Sequence, residues 1–221
     1  SNMRGLTNSL RPAVILLLVG LLLGSSSFAE SRGITGDKAE GDRDVAKTGC
    51  TCHSDNVIAP TDSMTLIIEG VPFGWSDGES YELTIQLIGG PEMDTSSNTG
   101  GFSMRVTSGV LSAGSGFEGK VKNDGSEQTL AHTAAGAQTE DRTWHVVWTA
   151  PAAGSGEVTI WLAGNSVDGN GAAMAPDSYN RLSFWLPEGS DCSNTRTIFA
   201  GDGNVQAPAA EAGHTDLHSM G

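Results

Sequence analysis

Between Met64 and Pro187 the chain repeats one pattern. Short runs alternate apolar and polar residues, and Gly, Pro, Asn, Asp or Ser separates each run from the next. The clearest are "MTLIIE" (64–69), "SYELTIQLI" (80–88), "GFSMRVT" (101–107), "GFEGKVK" (116–122), "RTWHVVWT" (142–149), "GEVTIWLAG" (156–164) and "RLSFWLP" (181–187). "SGVLSAG" (108–114) and "EQTLAHT" (127–133) add shorter candidates. Alternation with period two buries one face of a strand and wets the other. No stretch carries the 3.6-residue period of an amphipathic helix. Thirty glycines in 221 residues suit a chain dominated by turns. The pattern predicts an all-β fold, an antiparallel β-sandwich of roughly 7–9 strands, immunoglobulin-like, with flexible terminal segments. Trp144 and Trp148 stand four apart on one strand and share a face, with His145 and Val147 on the other. Trp161 falls on the next predicted strand, in position to pack beside one of them.

The ends read differently. Arg4 and Arg11 precede the apolar run "AVILLLVGLLL" (13–23), and small residues Ser27 and Ala29 follow. Basic, apolar and small-residue zones in that order predict a secretory signal peptide over 1–29. The run is shorter than the roughly 20 residues a membrane-spanning helix needs. The expected location is extracytoplasmic, secreted or at the cell surface. Removing Arg4 and Arg11 takes the net charge from −14 to −16. So acidic a surface repels nucleic acid and anionic lipid. Residues 30–48 are polar and unpatterned, which predicts a flexible leader. Residues 190–221 are rich in Ala, Gly and Pro and read as a low-complexity tail. The expectation is that a membrane anchor follows Gly221. The tail also carries His214 and His218, which a helix would place on one face.

The chemistry concentrates in "GCTCHS" (49–54), within a site segment spanning 49–63. Cys-x-x-Cys-His attaches a c-type haem through two thioethers, and its His ligates the iron. Here only Thr51 separates Cys50 from Cys52. Two thioethers are strained at that spacing, but Cys52 and His53 keep the adjacent pair that places thioether and ligand together. A single thioether from Cys52 with His53 on the iron is the haem version of this site. Export favours disulfides, and the alternative is a bridge from Cys50 or Cys52 to Cys192. Cys50, Cys52 and His53 with a further histidine also suit copper or zinc. The last alternative is no cofactor.

The order of motifs resembles one family. After "GCTCHS" come "NTGGFSMRVTSGVLSAG" (98–114), "LAHTAAG" (130–136) and "RTWHVVWTAPAAGSGEVTIWLAGNSVDGNG" (142–171). This resembles the reeler (reelin-type) domain family, in its microbial exported branch, where a Cys-x-x-Cys-His site precedes the domain. The resemblance covers about residues 47–188 and places the domain over 64–189. It implies an extracellular β-sandwich in binding, adhesion or matrix roles, without enzymatic activity, sometimes beside cytochrome-type redox domains. It also implies His132, within the family-like core, as the second haem ligand and thus a metal ligand alongside His53. His145 and the methionines Met64, Met93, Met104 and Met174 are weaker candidates for that place.

Nothing else in the chain carries strong chemistry. Asp168, Asn170 and Asp177 offer oxygen ligands for calcium, but without EF-hand spacing. No Gly-x-Ser-x-Gly, His-Glu-x-x-His or phosphate loop occurs, so no enzyme is expected. The sequence therefore predicts an exported module with a haem c site, acting in extracytoplasmic electron transfer or ligand sensing. Its alternative is a cell-surface adhesion or binding module whose cysteines form a structural disulfide. The expected partner is a redox protein or a cell-surface ligand.

Overall fold

The computed structural model describes residues 32–34, 44–50, 64–94, 96–172, 176–189 and 193–201. Ten strands are present among them. They are β1 (Met64–Pro72), β2 (Ser80–Gly89), β3 (Gly100–Val106), β4 (Val110–Ala113), β5 (Val121–Lys122), β6 (Thr129–His132), β7 (Thr143–Thr149), β8 (Val158–Ser166), β9 (Ser178–Leu186) and β10 (Thr195–Ala200). A short helix α1 (Val45–Thr48) precedes them, and a 3-10 turn (Gly136–Gln138) leads into β7. The strands form two five-stranded sheets, in the orders β10-β1-β2-β7-β4 and β5-β6-β3-β8-β9. Every ladder is antiparallel. The all-β antiparallel sandwich expected from the sequence is the observed fold.

The core lies between the sheets. Leu83, Ile85 and Leu87 of β2 and Trp144, Val146 and Trp148 of β7 supply one inner face. Phe102, Met104, Ile160, Leu162, Leu182 and Phe184 supply the other. Trp144 packs on Phe102 with ring centroids 5.3 Å apart, and Trp148 stacks on Tyr81 at 5.5 Å. The alternation of β2, of β7 and of β9 from Arg181 on appears directly in their burial.

Four sequence expectations are corrected. Val45–Thr48 of the supposed flexible leader is helical, because Asp44 caps it and Val45 and Ala46 are buried beneath it. The tail does not begin at 190, because Thr195–Ala200 pairs with β1 and buries Ile198 and Ala200. The run 116–122 gives only Val121–Lys122, because Phe117 and Lys120 close a turn first. Trp161 does not join Trp144 or Trp148. Residues 150–157 carry the chain to the other sheet, where Trp161 pairs with Arg105 and Ser183 on the outer face.

Two buried tryptophans allow a controlled comparison. Both Trp75 and Trp144 are fully buried, but the Trp144 indole donates to the Gly136 carbonyl at 2.8 Å while that of Trp75 has no partner. Trp144→Phe is expected to cost about 1–2 kcal/mol more than Trp75→Phe, since only the first leaves a carbonyl unpaired. Urea unfolding of the two variants measures it, and equal losses would overturn the assignment.

At one end of the sandwich the connections converge on Arg142, which is 4 % exposed. Its guanidinium donates to Thr99 O (2.7 Å), Gly89 O (2.7 Å), Pro91 O (2.8 Å) and Val167 O (3.2 Å). It therefore ties the ends of β2 and β8 to the start of β3. Burial lowers its pKa, and the charge of Asp177 partly opposes that.

Candidate functional site

The cysteine motif reaches the sandwich on the residues that were expected to be loose. α1 is too short to stand alone and is held from outside. It packs across the outer face of the second sheet, over β3, β8 and β9. Asp44 accepts from Lys47 N at 3.3 Å as the helix cap. Its carboxylate also lies 3.1 Å from Arg105 Nε, an ion pair too poorly aligned to be a hydrogen bond. Lys47 stands 4.4 Å over the Trp161 ring, and Arg181 donates to the Lys47 carbonyl at 2.8 Å. Gly49, with φ 92°, ends the helix against Tyr179, where a Cβ would come within 2.6 Å of the ring. A side chain there would lift the strap.

Cys50 follows at once. Its side chain is half-buried against the core. Burial raises the Tyr179 pKa, and the nearby charge of Cys50 raises it further, while Arg181 pulls it down. Cys50 thus lies near Tyr179, whose ring its neighbour Gly49 meets at the start of β9. Cys52, His53 and Cys192 lie outside the described residues, as do Met174, His214 and His218.

His132 ends β6. Its Nδ1 is 3.0 Å from Phe102 N and 3.1 Å from Phe102 O, so the imidazole stands in for a rung of the β3–β6 ladder. Gly101 makes room for it, since a Cβ at 101 would meet the ring at 2.1 Å. Gly33 of the leader lies against the His132 carbonyl, where a Cβ would approach to 2.0 Å. Gly101 pairs with Asn165, and Asn165 with Tyr179, so His132 and Cys50 sit at the same end of the sheet. β6 and β9, the strands of His132 and Tyr179, are three strand intervals apart, roughly 14 Å. Nε2 is the ring nitrogen that Phe102 does not engage. A ligating histidine is commonly oriented in this way, with one nitrogen on the backbone.

The remaining candidates fall elsewhere. His145 is on the outer face of the first sheet, bonded to Thr84 at 3.0 Å and edge-on to Phe117. Met64 and Met104 are fully buried in the core, and Met93 is exposed in a loop. Asp168 accepts from Asn170 through both carboxylate oxygens, and Asp177 accepts from Asp168 N. These groups close their own loop. Among the described residues no three His, Cys, Asp or Glu side chains gather as a metal site. No helix among them is long and apolar enough to cross a membrane.

The sequence did not point to Arg105, Trp161, Arg181 and Tyr179 as the anchors of the motif. The signal was their parity: each is a large or charged residue on the outer face of β3, β8 or β9.

Fold and site together define a two-sheet β-sandwich that carries Cys50, the first cysteine of the motif, on a docked N-terminal strap. No family model matches the chain, and neither does any curated protein. Among solved structures it is similar to the Reelin-N domain of F-spondin, with TM-score 0.40 and 19 % identity over 59 % of this chain and 89 % of that one. Two structures of the human F-spondin reeler domain match with TM-scores 0.39 and 0.37, at 18 % and 17 % identity, each over 59 % of this chain and 91 % of theirs.

Proposed function

We propose that this chain is an exported, non-enzymatic, reeler-like module that holds haem c through Cys52 and His53 and serves extracytoplasmic electron transfer. The placement of Cys50 carries the reading. Cys50 lies beside Tyr179, at the start of β9. A cysteine held there on a docked segment, two residues before Cys52, supports a motif positioned to hold a group.

The residues suit haem in two respects. His53 stands three residues beyond Cys50, within a chain reach of up to about 10 Å. His132 is oriented through Nδ1 at the same end of the sheet, and in this reading it would be a second histidine ligand. The iron, when bound, would supply the redox change. The chain's part is to fix the thioether sulfur, orient two imidazoles and offer a rigid sheet face as a wall. The acidic surface suits a basic redox partner, approached through long-range attraction.

The test is export of the protein from a host with c-type maturation machinery. A denaturing gel stained for haem peroxidase activity, with a visible spectrum of the native sample, is the readout. A stained band with a Soret peak is expected. A colourless band, in a host that matures a Cys-x-x-Cys-His control, would overturn the reading in favour of a surface-binding module.

A further inference from the structure

α1 ends in a backbone shape that glycine alone takes freely. Gly49 has φ 92° and ψ 174°, a region essentially reserved for residues without a Cβ. It is not the left-handed cap that commonly ends a helix. Its N–H still bonds the Val45 carbonyl at 2.9 Å, so the helix closes and the chain leaves it at the same residue. Cys50 takes its direction from that one turn.

Tyr179 fixes the turn from outside. A Cβ at 49 would meet its ring at Cε2 (2.6 Å), Cδ2 (3.3 Å) and Cζ (3.4 Å), so the Gly49 backbone lies against the ring itself. Tyr179 is 3 % exposed and pairs with Asn165 in a continuous ladder, which gives the ring a rigid base. Two residues along the same outer face, Arg181 donates to the Lys47 carbonyl at 2.8 Å. Lys47 and Gly49 thus meet Arg181 and Tyr179, a step matched to the strand period. As the leader runs from 47 to 49, its partners on β9 run back from 181 to 179. That heading leads to the end of the sheet where the Tyr179–Asn165–Gly101 row reaches the His132 ring.

We propose that Tyr179 is the positioning residue of the cysteine motif: its ring, closed on the glycine backbone at 49, sets the heading on which Cys50 and the residues after it leave the strap. Arg181 holds the strap, and Tyr179 aims it. That the motif holds haem rests on the reading above, whereas the aiming role concerns the motif whatever it holds. The glycine before the first cysteine is then a requirement of the site, because any side chain at 49 meets both a disfavoured backbone region and the ring.

The test uses the full chain, exported from the host with c-type maturation, as Gly49→Ala, Tyr179→Leu and Tyr179→Phe. Two readouts are taken beside urea unfolding. One is the visible spectrum. The other is hydrogen exchange of the Lys47, Thr48 and Gly49 amides, which bond the Asp44 and Val45 carbonyls. Gly49→Ala and Tyr179→Leu should keep the haem-stained band but lower the low-spin fraction about threefold or more, since a displacement of about 1 Å is enough to spoil a ligand's placement. The three amides should exchange about tenfold faster or more, with the strand amides unchanged. Tyr179→Phe keeps the ring and should recover most of both. Gly49→Ala lies outside the sandwich core, so it stands even where Tyr179→Leu fails to fold. If the parent is colourless, the haem reading falls and the exchange rates still judge the aiming role. Parent-like exchange in Gly49→Ala would overturn the proposal. So would a Tyr179→Phe variant as impaired as Tyr179→Leu, or faster exchange with an unchanged low-spin fraction in a coloured protein.

Discussion

Arg142→Met is expected to lower the unfolding free energy by on the order of 4 kcal/mol, measured by urea titration. The guanidinium is the shared donor for Thr99 O, Gly89 O, Pro91 O and Val167 O. Methionine fills similar volume but donates nothing, so carbonyls of the β2–β3 and β8–β9 connections lose this donor together. Arg142→Lys should recover little, because one ammonium cannot reproduce a planar fork of donors. The backbone adds a control. Arg142 has φ 52°, a left-handed conformation that strains a residue with a Cβ. Arg142→Gly relieves that strain, worth about 1 kcal/mol, and should still be strongly destabilised. A loss below about 1 kcal/mol in Arg142→Met would mean that water satisfies these carbonyls as well as the guanidinium does.

The legible part of this fold was the part written in period two. β2 and β7 alternate cleanly, as does β9 from Arg181 on, the part of it that the sequence pattern marked. Strands whose two faces are both covered were harder to place. Thr65 and Ile67 of β1 are buried although they point away from the core, so burial there does not alternate. Trp161 shows a second limit. Its strand was identified, but neighbouring strands in sequence need not share a sheet, and the turn at 150–157 crosses from one sheet to the other. β10 was missed because "TRTIFA" follows a polar stretch and precedes a low-complexity one. Its identity as a strand rests on pairing with β1, 130 residues earlier, which local patterning cannot express.

The site was legible as chemistry but not as placement. Cys-x-Cys-His stood out by residue type, and His132 by the resemblance. Nothing local showed that Asp44 would cap a helix and meet Arg105, or that Gly49 would close on Tyr179. These contacts join the leader to strands far along the chain. Arg142 was equally silent in the sequence. A lone arginine before a strand reads as solvated until the β2–β3 and β8–β9 connections are seen to converge on it.

The haem reading is tested most sharply by separating its two cysteines. Cys52→Ala should abolish haem staining on a denaturing gel, because it removes the sulfur next to the ligating histidine. His53→Ala should keep a stained band but lose the low-spin spectrum, since attachment survives while an axial nitrogen does not. Cys50→Ala should stain close to the parent. The strap directs Cys50 toward Tyr179 and the core, and Thr51 alone cannot span two vinyl positions. Equal loss from Cys50→Ala and Cys52→Ala would exclude the single-thioether arrangement. Cys192→Ser completes the set. A native staple in a small secreted domain is worth about 2–5 kcal/mol, which shifts Tm by several degrees in a domain of this size, at roughly 2–4 °C per kcal/mol. The haem reading gives Cys192 no staple to hold, so the expectation is an unchanged Tm. A colourless wild type with a Cys192→Ser variant that melts several degrees lower would reverse the assignment and make the cysteines a clasp.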